Sequence, residues 1–352
     1  MASPTPTRSS SEPTDYLDGL RGLAALIVLF GHCSNVGMDV IPALNFGATA
    51  KIGVWLFFVL SAYLLAGRLV GELEDSTVRG RVILAYAVRR VLRIMPAYFV
   101  FLFGATALGY FRMDEALRHA FLMEGRDHLW TIPVEMAFYA LLPIIALILS
   151  RCSPRQRPWL TVVVVIAASS AYAVLASQAI QANSMQFPAY ALFFAFGILV
   201  AQSRMGLSNN AALGIALASM AAIVLLAPRS MESFVNISVQ EALGWSWAIG
   251  LGWAAILYAL TRSSPLQYLF RNSALRFYGR ISFSLYLTHF YLINAVAANM
   301  MLPGIVKGAV TLVLATVVAT GMYLAVEVPG LRLGGRLARA IMRSGSAIAP
   351  RT

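Results

Sequence analysis

Long apolar runs recur along this 352-residue chain, separated by short polar or Gly/Pro-containing connections. A helix needs about 20 consecutive apolar residues to cross the hydrocarbon core of a bilayer. Ten runs approach that length, at 17–37, 50–69, 92–110, 132–150, 159–179, 188–203, 211–227, 242–261, 281–301 and 307–328. The pattern therefore predicts an all-α fold, a polytopic transmembrane helical bundle of about ten spans.

Composition agrees with a membrane protein and divides the chain into three parts. Hydrophobic residues make up 59% of the chain and charged residues only 12%, against about 25% charged in soluble domains. Residues 1–14 are rich in Ser, Thr and Pro, which is typical of a disordered tail, and they lack the features of a signal peptide. We predict a disordered tail at 1–14, a transmembrane domain at 15–330 and a basic cytoplasmic tail at 331–352.

The net charge of +12 would be compatible with nucleic-acid binding, but its distribution favours membrane orientation. With the N-terminus in the cytoplasm, most of the 27 Lys and Arg residues fall on the cytoplasmic side. The six on the outer side are Lys51, Arg112, Arg118, Arg126, Arg229 and Lys307. We therefore expect both termini to be cytoplasmic, membrane lipids to be partners, and no nucleic-acid partner.

Two polar residues interrupt the first apolar run. Arg21 and His32 are eleven residues apart, which places them about 20° apart around a helix and roughly 16 Å apart along it. Intramembrane ionisable residues are costly and commonly functional. We therefore expect Arg21 near the inner surface and His32 deeper, lining one cavity on a shared face.

A second cluster, Arg89, Arg90 and Arg93, precedes the third predicted span. Arg90 and Arg93 are neighbours on one helix face, and the arginine fork suits bidentate binding of phosphate. The alternative is a basic anchor at the membrane surface. We favour the phosphate site, because Arg21 is expected at the same depth.

Three further residues are candidates for chemistry or for structural pairing. Glu135 is predicted in the first turn of span 4 on the outer side, where it either caps the helix or orients a base. His289 is the second intramembrane histidine, because His119 and His128 are predicted in an outer loop. Glu327, at the inner end of span 10, is expected to pair with an arginine. The sequence has no metal-ligand motif, so we expect no metal.

Together these motifs resemble the acyltransferase-3 family of integral-membrane O-acyltransferases, over nearly the whole hydrophobic chain. The residues that carry the resemblance are Arg21 with His32, Arg90-x-x-Arg93 with Pro96 and Tyr98, Trp130 with Glu135 and Tyr139, the stretch from Ser282 to His289, and Glu327-x-Pro329. Two positions depart from the family pattern, since Trp55 stands where Asp is usual and Ala62 where Gly is usual.

The resemblance implies an acyl-CoA donor, most often acetyl-CoA, that is approached from the cytoplasm. It implies as acceptor a hydroxyl of a lipid-linked or surface glycan such as exopolysaccharide or lipopolysaccharide. It also suggests a bacterial inner-membrane location, and a polysaccharide-assembly complex or a homo-oligomer as candidate assemblies.

Our hypothesis assigns a role to each candidate residue. His32 acts as the general base, Glu135 and His289 orient the base or the acceptor, and the donor phosphates bind to the arginines Arg21, Arg89, Arg90 and Arg93. An acyl-histidine intermediate is the alternative route. Two other classes remain open, namely a transporter or flippase for a glycan or lipid and a scaffold subunit without chemistry of its own.

Overall fold

The computed structural model describes residues 15–41 and 44–344, except for the side chains of residues 177 and 181. The predicted N-terminal tail 1–14 and the last residues of the predicted C-terminal tail lie outside the described residues. Within the described part the chain forms helices and no strand. In chain order they are α1 (Asp15–Asn35), α2 (Ala50–Glu74), α3 (Arg79–Ala107), α4 (Met113–Ala120), α5 (Thr131–Arg151), α6 (Arg157–Gln181), α7 (Ala191–Gln202), α8 (Asn209–Leu226), α9 (Pro228–Val235), α10 (Val239–Ala242), α11 (Ser246–Leu260), α12 (Ser264–Phe270), α13 (Ser273–Asn299), α14 (Gly304–Met322) and α15 (Val328–Arg343).

The predicted all-α membrane bundle is confirmed. Among the described residues, nine helices are long and apolar enough to cross a membrane. The predicted span 188–203 differs, because α7 has only 12 residues and is about 18 Å long, short of the roughly 30 Å hydrocarbon core. Most of its side chains are buried, and it packs against α2, α6 and α11. Hydropathy alone does not distinguish such a buried core helix from a span.

The end of the described chain continues the bundle as a helix. A π-helical turn at Tyr323–Glu327 joins α14 to α15, and α15 packs along α3. Gly330 and Gly334 face α3, so that a Cβ added at Gly330 would lie 2.5 Å from the Leu92 carbonyl oxygen. The described part of the predicted tail 331–352 is therefore an amphipathic helix, with exposed arginines on the face away from α3.

Glycines allow α1 and α13 to pack with their backbones in close contact. A Cβ built on Gly22 would lie 1.9 Å from the Leu275 carbonyl oxygen, and one on Gly279 would lie 1.8 Å from the Asp18 carbonyl oxygen. Small residues at helix contacts are how membrane helices approach closely. This contact brings Arg21 of α1 beside Ser282 of α13.

We expect Gly279→Ala to destabilise the protein, because the new methyl group would force the α1 and α13 backbones apart. Overpacking of this kind costs about 1–3 kcal/mol. Thermal unfolding in detergent should show a clearly lower Tm. Gly321→Ala is the matched control, since nothing lies within 4 Å of a Cβ at that position. Equal Tm values for the two variants would contradict the close-packing argument.

Candidate active site

A cavity of about 240 Å³ lies between α1, α2, α3, α5 and α13, and we call it the arginine cavity. Its walls combine cationic, polar and apolar side chains. Those lining it are Arg21, Val54, Phe57, Leu60, Ser61, Leu64, Leu65, Arg68, Arg90, Arg93, Ile94, Thr131, Ile132, Glu135, Tyr139, Ser282, Phe283 and Tyr286. The apolar wall comes mainly from α2, while α1 and α3 supply three of the four arginines.

Three of these arginines have no carboxylate partner within ion-pair distance among the described residues. Arg21 donates from Nη2 to Ser282 Oγ at 3.3 Å, and Nε of Arg90 is buried without a hydrogen-bond partner. The salt bridges of the described chain do not include Arg21, Arg90 or Arg93. Because partly buried guanidinium groups favour an anionic partner, this wall is suited to bind phosphate.

The fourth arginine of the cavity, Arg68, was not singled out from the sequence. Its side chain is 64% exposed and bonds to Glu72 at 2.7 Å, so the cavity reaches the protein surface here. Arg89 binds the other oxygen of Glu72 at 2.7 Å and is not among the residues lining the cavity. The structure therefore brings Arg21, Arg90 and Arg93 together and places Arg89 in a surface ion-pair network.

Glu135 lies on the wall of the arginine cavity and is half-buried. Its Oε2 accepts a hydrogen bond from Tyr139 Oη at 2.9 Å. A 3₁₀ turn at Asp127–Trp130 precedes α5, so Glu135 sits deeper than the first helical turn and is not its N-cap. Glu135 therefore faces the arginines and does not cap α5, and its expected position on the outer side stays a prediction.

A second, smaller cavity adjoins the first, and we call it the histidine recess. It is lined by Ala25, Val28, Phe57, Ser282, Leu285, Tyr286 and His289. Phe57, Ser282 and Tyr286 line both cavities. The recess has no room for a water molecule, so access to His289 from the arginine cavity requires these shared side chains to move.

Three histidines meet beyond the recess, and we call them the histidine cluster: His32, His128 and His289. The ring centroids of His32 and His289 are 5.2 Å apart, and those of His128 and His289 are 5.1 Å apart. His289 and His128 are 1% and 4% exposed, whereas His32 is half-buried. His32 lines neither of the two cavities described above, so its connection to Arg21 runs through His289.

Backbone carbonyls fix the tautomers of two of these histidines. His289 donates from Nδ1 to the carbonyls of Leu285 at 3.0 Å and Tyr286 at 2.8 Å, and its Nε2 is buried without a partner. His128 donates from Nε2 to the Leu287 carbonyl at 3.2 Å, and its Nδ1 is likewise without a partner. A carbonyl only accepts, so each neutral ring keeps a free lone pair, as a general base requires.

His128 was predicted in an outer loop, and sequence reasoning missed it. The 3₁₀ turn carries it into the bundle, where Tyr286 Oη donates to its carbonyl and accepts from Thr131 Oγ1 at 2.8 Å. A sequence signal did exist, because His128, Thr131, Glu135 and Tyr139 recur at helical spacing. This stripe indicates a helix that begins before the apolar run.

The predicted shared face of α1 is confirmed. Arg21 lines the arginine cavity, Ala25 and Val28 line the histidine recess, and His32 contacts His289. The single cavity that Arg21 and His32 were both expected to line is not observed among the described residues, because Arg21 lines the arginine cavity whereas His32 lines neither cavity and reaches the histidine recess only through its contact with His289.

The two departures from the family pattern lie on another face of α2. Trp55 is fully buried and stacks on Phe193 of α7 with ring centroids 5.4 Å apart. Ala62 is buried against Gly197, which also belongs to α7. Neither side chain is among those lining the two cavities, so both departures belong to the packing of α7.

The fold and the site define a multi-pass helical membrane protein in which an arginine-lined cavity adjoins a buried histidine cluster. The family comparison agrees with the sequence resemblance. The chain belongs to the acyltransferase-3 family, whose model, described as "Acyltransferase domain", matches residues 14–326.

Two relatives illustrate the likeness. The chain is 28% identical over 365 residues to the "Putative membrane-bound transacylase BcsY" of Komagataeibacter xylinus, covering 94% of this chain and 86% of that protein. It is 25% identical over 155 residues to a "Putative O-acetyltransferase" of Staphylococcus aureus (strain COL), covering 37% of this chain. The matched region spans about a quarter, 24%, of that staphylococcal protein. No solved structure matches the chain.

Proposed function

We propose that this protein is an O-acyltransferase that moves an acyl group, most simply acetyl, from acyl-CoA to a hydroxyl of a lipid-linked or cell-surface glycan. The observation that carries the proposal is the junction of the two spaces, where Phe57, Ser282 and Tyr286 separate an arginine-lined cavity from a buried histidine. The names of the relatives, O-acetyltransferase and transacylase, support the class of reaction.

The donor end of the site suits a phosphate-bearing thioester. Arg21, Arg90 and Arg93 would hold the phosphates of CoA, since their guanidinium groups lack carboxylate partners among the described residues. The apolar wall of α2 would contact the pantetheine arm, whose thioester end then points toward Phe57. Arg89 is engaged with Glu72, so we assign it to holding the surface of the bundle near the cavity mouth.

In the transfer step His32 acts as the general base. His32 is the most exposed residue of the histidine cluster, and the acceptor hydroxyl would approach it from the side away from the arginines. The hydroxyl oxygen attacks the thioester carbonyl as its proton passes to His32, the C–S bond breaks, and the proton leaves with the CoA thiolate as free thiol. His289 positions His32, and Glu135 with Tyr139 orients the reactants from the cavity wall.

The proposal is tested with purified protein in detergent, acetyl-CoA and a panel of glycans. We expect release of the CoA thiol and appearance of an acetylated glycan, in equal amounts and only when both substrates are present. In vesicles, acceptor movement across the membrane without CoA consumption would instead support the transporter. If no glycan of the panel is acetylated or transported, neither the acyltransferase nor the transporter is supported.

A further inference from the structure

A group of three metal-ligating side chains lies outside the two cavities, in α4 and in the connection that follows it. Glu115 and His119 belong to α4, and Glu124 belongs to the connection that follows it. One potential ligand atom from each, a ring nitrogen or a carboxylate oxygen, lies within 4.8 Å of the other two. Nothing in the proposed acyl transfer uses these residues.

His119 is the member that ordinary packing leaves unexplained. It is 0% exposed, and neither of its buried ring nitrogens has a hydrogen-bond partner of good geometry, although the backbone of Glu124 lies near the ring. Phe111 covers the ring with centroids 5.2 Å apart, and Tyr98 Oη donates only to the His119 backbone carbonyl, at 3.2 Å. Buried polar groups in native proteins are almost always satisfied, so an imidazole with two unpartnered nitrogens indicates a missing partner.

Arginines already hold the two carboxylates in place. Glu115 accepts from Arg126 at 2.7 Å, and Glu124 accepts from Arg118 Nε at 2.8 Å. Ligating carboxylates are themselves hydrogen-bonded in metal sites. The other oxygen of Glu115 accepts from the Arg112 backbone N–H at 3.4 Å, and a carboxylate oxygen that accepts one hydrogen bond keeps a further lone pair. The ion pairs explain the carboxylates without a metal, but they do not explain His119.

The spacing of the three residues explains how the group forms. Glu115 and His119 are four residues apart on α4 and therefore share one face of that helix. The following connection brings Glu124 back to the same face. No metal was expected from the sequence, because a ligand set split between a helix and a connection has no compact motif.

We propose that Glu115, His119 and Glu124 bind a divalent transition-metal ion of the zinc class. One imidazole nitrogen with two carboxylate oxygens is a three-ligand set that zinc accepts, with water completing the coordination. The imidazole disfavours Mg²⁺ and Ca²⁺, which prefer oxygen ligands. The ion would tie α4 to the connection that leads, four residues later, to His128.

Isothermal titration of Zn²⁺ into the full-length, chelator-treated protein without a histidine tag tests the proposal. We expect one saturable site in the wild type and affinity lowered by more than about tenfold in Glu124→Gln and in His119→Gln. The control is Asp114→Asn, which removes a carboxylate of the same helix that pairs with Arg118 but is outside the group. It should bind Zn²⁺ as the wild type does.

The Tm of each variant without metal reports folding, and Glu124→Gln, which changes a partly exposed side chain, decides the case if His119→Gln does not fold. A wild type without saturable Zn²⁺ binding, or a Glu124→Gln variant that binds as tightly as the wild type, would overturn the site. Because no acyl donor is present, this outcome is independent of the proposed acyl transfer.

Discussion

His32→Ala is expected to lower the turnover of acyl transfer by about 10²- to 10⁴-fold, the usual contribution of a general base. The KM for the acyl donor should change little, because His32 is not among the residues lining the arginine cavity. The measurement is the rate of CoA thiol release in the presence of an acceptor. The Tm should stay close to the wild-type value, since the His32 ring contacts only the rings of His289 and Phe290 among the described aromatic pairs.

Two comparisons separate a catalytic role from a structural one. Added imidazole should restore part of the activity of His32→Ala, because it can fill the vacated space and accept the proton, whereas it should not repair a packing defect. Asn299→Ala, which changes an exposed polar residue at the end of α13, is the control and should keep full turnover. Near-normal turnover of His32→Ala would show that the base lies elsewhere, and His289, with its free Nε2, would then be the first candidate.

The helical period of α1 was sufficient to predict one side of the site. Arg21 and His32 fall on one face of α1, and the structure has Ala25 and Val28 between them on the recess wall. The helix is continuous from Asp15 to Asn35, so the 3.6-residue period holds throughout. Within one continuous helix, the number of residues between two side chains is enough to predict where they lie relative to each other.

The other side of the site could not be predicted in the same way. The positions of His128 and Glu135 were predicted from the residue at which the apolar run begins. In the structure a 3₁₀ turn precedes that run and carries His128 into the bundle. What holds it there is Tyr286, 158 residues away in sequence. Contacts over such separations depend on which helices pack together, and hydropathy along the chain carries no information about that.

The pattern of charged residues along the sequence predicted where the arginines cluster, but it did not predict which groups each charged side chain contacts. Arg89 and Arg90 are adjacent, yet only Arg90 is among the residues lining the cavity, because successive residues of a helix point in different directions. Glu327 was expected to pair with an arginine, whereas it accepts a hydrogen bond from Ser284 Oγ at 3.0 Å and forms no salt bridge within the described chain. The π-helical turn that contains Glu327 changes the helical register there, which spacing could not anticipate.

The second large effect is expected at the donor end of the site. Arg90→Ala should weaken the binding of acetyl-CoA by about 10- to 150-fold, which corresponds to a charge-assisted hydrogen bond of about 1.5–3 kcal/mol. The same effect is expected for Arg21→Ala. Lysine at position 90 should restore only part of the affinity, because an ammonium group lacks the bidentate fork. Equilibrium binding of labelled acetyl-CoA to the purified protein provides the measurement.

A control variant and a control ligand test whether the lost phosphate contacts cause the weaker binding of acetyl-CoA. Arg336→Ala removes an exposed arginine from α15, which packs on α3, and should leave the affinity unchanged. Acetyl-pantetheine carries the same thioester without the phosphates, so its weak binding should not change in Arg90→Ala. If acetyl-CoA binds Arg90→Ala as tightly as the wild type, the arginines of the cavity serve the orientation of the helices and not the donor. If the variant loses acetyl-CoA and acetyl-pantetheine equally, the loss arises from a deformed cavity, because a missing phosphate contact can affect only the ligand that carries phosphate.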